Sequence, residues 1–263
     1  MSYIHCMQNA LTSPFLSLTK TDFSACPEDY LKLHYTSLGF IVFIGVLLWG
    51  VGLQDIDFDN SMLKNTFGYN SLCVFFDATP TREISSVFLP FGSFFAIRYA
   101  QFASARYDEL HRKDATDMKD WSKYILHSLM LCSVVISSLL LSLILVRVPE
   151  IGSVESIRIH TAPYIVLEIS SSLIILHTVV SYGNYSQITV GVFYALISSL
   201  KLISQLKSLS DAPFGYWEPT DFWFALDIGW DVALALTIIT MPSGPSINVK
   251  RGSQINNSLP DSL

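Results

Sequence analysis

Four ionisable residues stand in stretches that are otherwise apolar: Glu168, Lys201, Asp227 and Asp231. Leu167 and Ile169 flank the first, and Leu200 and Leu202 flank the second. Asp227 and Asp231 are four apart, which puts them on one face of a helix. A charge at the centre of a bilayer costs about 2.5–3.5 kcal/mol on insertion scales, so such residues face the interior of a bundle and mark ion or proton paths. Three carboxylates against one ammonium is the composition of a cation or proton site, because one lysine cannot neutralise three acids. The plainer alternative is a Glu168–Lys201 ion pair that only fixes helix packing, with the aspartates facing outer water.

Two histidines offer a second chemistry. His127 and His177 each lie about a turn and a half from the same end of their apolar stretches. Adjacent antiparallel helices would bring them level, which is the geometry for one b-type haem held by two imidazoles. His160 has no histidine at matching depth, so a two-haem path lacks ligands. Packing or interfacial histidines, and no cofactor, are the expected outcome.

Other motifs fall short of a site. Asp55-x-Asp57-x-Asp59 opens like a calcium loop, but its sixth position is Asn60 and its twelfth is Thr66, where the loop requires Gly and Glu. It reads as a solvated acidic loop, and no metal site is expected. Nucleophile-elbow, zinc-protease, phosphate-loop and dinucleotide fingerprints are missing, so no catalytic residue is assigned and an enzyme is not expected. Cys6, Cys26, Cys73 and Cys132 show neither metal-ligand spacing nor disulfide density.

The elements that would position these residues are long and apolar. The 263 residues are 51% hydrophobic and only 14% charged, with a mean hydropathy of +0.42. Soluble domains carry about 25% charged residues. The net charge of -6 argues against a nucleic-acid partner. Six stretches approach the roughly 20 apolar residues that cross a bilayer: 36–53, 84–103, 122–148, 157–183, 188–209 and 222–241. The second and sixth are weakest, interrupted by Arg98, Asp227 and Asp231. The expected fold is an all-α, polytopic transmembrane helical bundle of about six spans, a multi-pass integral membrane protein.

Lys and Arg crowd the 104–121 connection, with Arg106, Arg112, Lys113 and Lys119, and thin out elsewhere. The positive-inside rule puts that connection in the cytoplasm. Residues 1–35 then form a cytoplasmic N-terminal segment, 54–83 an ordered external loop, and 242–263 a disordered cytoplasmic tail. The segment from Met1 lacks the pattern of a secretory signal. The Asn184 and Asn256 sequons fall on the cytoplasmic side, where they would not be glycosylated. Pro90, Gly92 and Pro163 should bend or loosen their helices. Ser137-Ser138, Ser170-Ser171-Ser172 and Ser198-Ser199 allow close contact and hydrogen bonds between helices.

The layout resembles the six-span damage-regulated autophagy modulator (DRAM) family. Asp77-Ala-Thr-Pro80 before the second stretch, Arg98-Tyr99 with Arg106-Tyr107 near its end, and His160 with His177-Thr178-Val-Val-Ser181-Tyr182 are similar to that family's pattern. The likeness spans about 36–209 through short motifs. Two departures stand out: Asp-Ala-Thr replaces Asp-Thr-Gly, and Glu168 is charged where the family is apolar. The resemblance implies a non-enzymatic protein of endomembranes or the plasma membrane. It would act through lipids or other membrane protein subunits, in trafficking, autophagy or lipid handling. The intramembrane charges point instead to a small ion- or proton-coupled transporter or channel.

Overall fold

The computed structural model describes residues 22–61, 64, 70, 74–111, 121–141, 154–182, 185–210, 220–241 and 246–250. Arg112, Lys113, Lys119, Asn184, Asn256, Cys6, Cys73, Phe67 and Tyr69 lie outside the described residues. Six long helices carry the fold: α1 (Pro27–Gly50), α3 (Thr81–His111), α4 (Trp121–Leu140), α5 (Val154–Tyr182), α6 (Tyr185–Ser210) and α7 (Thr220–Thr240). A single short turn of helix, α2 (Val74–Asp77), precedes α3. Each of the six apolar stretches lies mainly on one of the long helices, which run from 20 to 31 residues. At about 1.5 Å per residue that is about 30–46 Å. Three contain segments both long and apolar enough to cross a bilayer: Pro27–Gly50, Lys123–Leu140 and Ala162–Val180. Gln187–Ile203 is a shorter apolar segment.

Three boundaries differ from expectation, each for a local reason. Helix α1 starts at Pro27, inside the stretch read as an N-terminal segment. Pro27 fits a first helical position, and Glu28 and Asp29 complement the helix N-terminus. Helix α3 continues to His111, so the first part of the 104–121 connection is helix, with no Gly or Pro to stop it. Within the stretch read as a disordered tail, Ile247–Lys250 (β2) pairs antiparallel with Asp22–Ala25 (β1), Ala25 opposite Ile247. Ala25 and Ile247 are both buried, so the alternation of side chains gives this ribbon one covered face. Helices α3 and α5 run uninterrupted past Pro90 and Pro163.

Each long helix packs on the next in chain order, and α1 also touches α7. The break between α5 and α6 is so short that the two run as antiparallel neighbours. Serines sit where expected between helices. Ser93 donates to the Ser138 carbonyl at 3.0 Å, Ser172 and Ser198 meet at 2.9 Å, and the Tyr35 hydroxyl meets Ser171 at 2.6 Å. Gly92 carries the α1–α3 contact: a Cβ there would lie 2.9 Å from Ser37 Oγ, and His34 Nδ1 donates to the Gly92 carbonyl at 2.8 Å.

The described ends of the 54–83 connection are anchored on α1. Phe58 and Phe75 stack edge-on with Trp49, Gln54 donates to the Phe75 carbonyl at 3.2 Å, and Thr81 bonds Gln54. Gly52, at φ 74°, supplies the left-handed residue that turns the chain out of α1. The acidic triplet is a solvated turn. Asp57 accepts from the Asn60 side chain at 2.8 Å and from the backbone N–H groups of Asp59 and Asn60. The Asn60 side chain first, then these amides, hold the Asp57 carboxyl below its ordinary range. Lys64 bridges Asp59 at 2.7 Å.

Polarity is inverted relative to a water-soluble bundle. Phe43, Leu139, Leu196 and Ile239 point outward, while Glu28, His34, Arg106, His127, Glu168, His177, Lys201 and Asp227 are buried. A helix bundle in water buries its apolar stripe and exposes its charges. Outward apolar faces, around an interior that holds these charges among apolar core clusters, suit a hydrocarbon solvent.

Candidate functional site

The four charges Glu168, Lys201, Asp227 and Asp231 come together between α5, α6 and α7. Glu168 is 1% exposed, Lys201 9% and Asp227 5%, and Asp231 is half-buried. Lys201 Nζ lies 2.7 Å from Asp227 Oδ1 and 3.8 Å from the centre of the Trp230 ring. The ammonium is therefore held between a carboxylate and an aromatic face, both from α7, and the arrangement satisfies charge and cation–π attraction together. Rise per residue puts Glu168 and Lys201 at nearly equal distances from the α5–α6 turn, which makes them the expected ion pair. The direct pair is Lys201–Asp227 instead. Rotation about the α6 axis, which depth counting leaves open, aims the ammonium at α7. Lys201, Asp227 and Asp231 all remain within electrostatic reach of Glu168.

Hydroxyls make up the rest of the site. Ser198 Oγ lies 3.2 Å from Glu168 Oε1, Ser172 Oγ lies 2.9 Å from Ser198 Oγ, and Ser172 also bonds the Glu168 carbonyl at 2.9 Å. Tyr194, fully buried, brings its hydroxyl beside Ser172, Ser198 and Trp230 without bonding geometry to any of them. Glu168 Oε2 and Trp230 Nε1 are likewise buried with no hydrogen bond. Buried acceptors normally find a donor, and one left unmade costs about 1–3 kcal/mol. The cluster thus joins three carboxylates, one ammonium and a set of hydroxyls, some short of partners.

A second buried cluster joins α1, α3, α4 and α5. Arg106 grips Glu28 with both guanidinium nitrogens, Nη1 to Oε2 at 2.9 Å and Nη2 to Oε1. Cys26 donates its thiol to Glu28 Oε2 at 3.2 Å. Burial, reinforced by the carboxylates of Glu28 and Asp29, pushes that thiol up to about 12. His127 Nδ1 and His177 Nε2 share a hydrogen bond at 3.2 Å, and the Tyr107 ring stacks on His127 at 4.1 Å. The level pairing of the two histidines is as the spacing implied. Their nitrogens, however, touch each other directly. An iron between them would need two bonds of about 2 Å on opposite sides of a porphyrin plane, and this closed pair leaves no such gap. Among the described residues, no group of three or more His, Cys, Asp or Glu is placed to hold a metal ion.

Sequence reasoning missed the Glu28–Arg106 pair and the Ser172–Ser198–Tyr194–Trp230 lining. Glu28 falls within residues 1–35, where the sequence predicts a segment outside the bundle, and its signal is the Pro-Glu-Asp start of a helix. Serine and aromatic residues in an apolar run carry no mark of their facing until neighbours are known.

Long apolar helices around a charged, hydroxyl-rich interior define the class: a helical integral membrane protein. No protein-family model, curated protein or solved structure matches the chain.

Proposed function

We propose that this protein spans the membrane six times, with both ends cytoplasmic, and moves a small cation or proton through the Glu168–Lys201–Asp227–Asp231 cluster. One observation carries the reading: two buried carboxylates and a half-buried third share one site with a single ammonium. A purely structural ion pair would be balanced, since each uncompensated buried charge is costly. An excess of negative charge makes chemical sense where a mobile positive charge enters and leaves. No catalysis and no resident cofactor is part of this reading.

The test is electrical. The full chain reconstituted into lipid vesicles should give transient currents when a pH or sodium step is applied, and Lys201→Met with Asp227→Asn should abolish them. Silence under every ion step would end the transport reading. The topology has its own check, thiol labelling of Asp59→Cys and Asp117→Cys from each side of the membrane. Labelling of both from the same side would contradict it.

A second reading follows from the resemblance to the DRAM family, a non-catalytic protein acting through lipids or membrane subunits. The broad outward apolar faces of α1, α4 and α6 favour it, because such faces suit lipid or helix partners alike. Under this reading the vesicles stay silent and the charged cluster only holds helices.

A further inference from the structure

The hydroxyl chain around Glu168 counts protons. Three contacts link it in series: Glu168 Oε1 to Ser198 Oγ at 3.2 Å, Ser198 Oγ to Ser172 Oγ at 2.9 Å, and Ser172 Oγ to the Glu168 carbonyl at 2.9 Å. Each serine hydroxyl has one proton to donate, and a carboxylate and a carbonyl have none. Two protons must therefore serve three bonds while Glu168 is ionised. A third proton on Oε1 completes the set. Glu168 then donates to Ser198, Ser198 donates to Ser172, and Ser172 donates to the carbonyl one turn back on α5.

From this geometry we infer that the ion bound at the cluster is a proton, carried as an O–H bond on Glu168 and selected by the Ser198–Ser172 hydroxyl chain. The inference rests on the transport reading for its purpose, but not for its chemistry.

Competing ions fit the site poorly. A calcium ion takes six to eight oxygens at about 2.3–2.6 Å, and magnesium demands a near-octahedral shell. The Ser198 and Ser172 hydroxyls are committed to one another at 2.9 Å. The place beside Asp227 is held by Lys201 Nζ at 2.7 Å, a cation tethered to the helix. A proton needs one oxygen only.

Among the described residues, the groups around Glu168 are Lys201, Ser198 and Tyr194 on α6, Asp227 and Asp231 on α7, and Ser172 on α5 itself. Tyr35 of α1 lies near Tyr194 and bonds Ser171 at 2.6 Å. The proton comes from water on one side, forms the Oε1–H bond, and returns to water on the other. No electrons move, and no other bond breaks.

Infrared difference spectroscopy of the reconstituted full chain, across a pH step, tests this directly. The expected result is a carbonyl-stretch band of a protonated carboxyl that disappears in Glu168→Gln and shifts in Ser198→Ala. Because Glu168→Gln can fail to insert, the shift in Ser198→Ala is a second, milder readout. A band unaffected by either substitution, or no protonated-carboxyl band at any pH where the chain stays folded, would overturn the inference. Its failure is separable from failure of the transport reading. Sodium-dependent currents without the band leave transport standing and remove the proton. The band without currents keeps the proton and removes transport.

Discussion

The two buried charge clusters hold their charges differently. Where α1 meets α3, Arg106 grips Glu28 with both guanidinium nitrogens. Between α5, α6 and α7, one ammonium serves three carboxylates, and Glu168 Oε2 makes no hydrogen bond. Bidentate Arg–carboxylate pairing is the strongest and least adjustable form of ion pair. A lysine is a point charge on a flexible stem, able to change partners with a small rotation. The first cluster has the chemistry of a fixed contact; on the transport reading, the second would exist in more than one charge state.

The largest expected effect is at the balanced pair. Arg106→Met removes the bidentate partner of buried Glu28, and should lower stability in detergent by about 3–5 kcal/mol. Adding Glu28→Gln should recover part of that loss. A double variant no better than the single would show that Glu28 and Arg106 are not coupled.

At the unbalanced cluster the effects should be smaller and unequal. Double-variant cycles should give Lys201 and Asp227 a coupling within the range of about 0.5–3 kcal/mol found for contacting groups. The Lys201–Glu168 coupling, measured with Glu168→Gln and Lys201→Met, should be weaker but not zero. A stronger coupling to Glu168 than to Asp227 would reverse the assignment of the ion pair. Strict additivity of Glu168 and Lys201 would detach Glu168 from the cluster.

The histidines sharpen the comparison from the side of the balanced region. With His127 and His177 bonded to each other, the purified protein should show no Soret band. A band lost on His127→Ala or His177→Ala would mean that the pair opens to take a haem.

The smallest effect concerns Cys26, at the edge of the same region. Its thiol is raised from 9.0 to about 12 in the folded chain, so the neutral form is favoured by folding. The stability it contributes is present below 9 and fades as pH rises from there towards 12. Alkylation near neutral pH should be slow, because the thiolate is the nucleophile, and Glu28→Gln should speed it. Fast labelling of Cys26 in the folded chain would contradict the burial of this corner.

Much of this was legible in the chain itself. Long runs of Leu, Ile, Val and Phe have no stable alternative to helix in hydrocarbon, because each backbone group must be bonded within its own segment. The six long helices follow from that, and so does the burial of Glu168, Lys201 and Asp227, whose exposure to lipid would be too costly. Level placement of His127 and His177 followed from rise per residue alone. The serine runs announced close helix contacts.

Partner choice was not legible. Depth along a helix is fixed by residue number, but rotation about its axis depends on how neighbouring faces pack. That rotation sent Lys201 to Asp227 rather than Glu168, and brought Ser198, Ser172 and Tyr194 around the glutamate. Likewise Glu28 and Arg106 are 78 residues apart, and the β1–β2 ribbon joins segments near opposite ends of the chain. Local periodicity carries no information about pairs so distant. The sequence by itself determined which residues must leave the lipid; only the packing of the helices decided which of them meet.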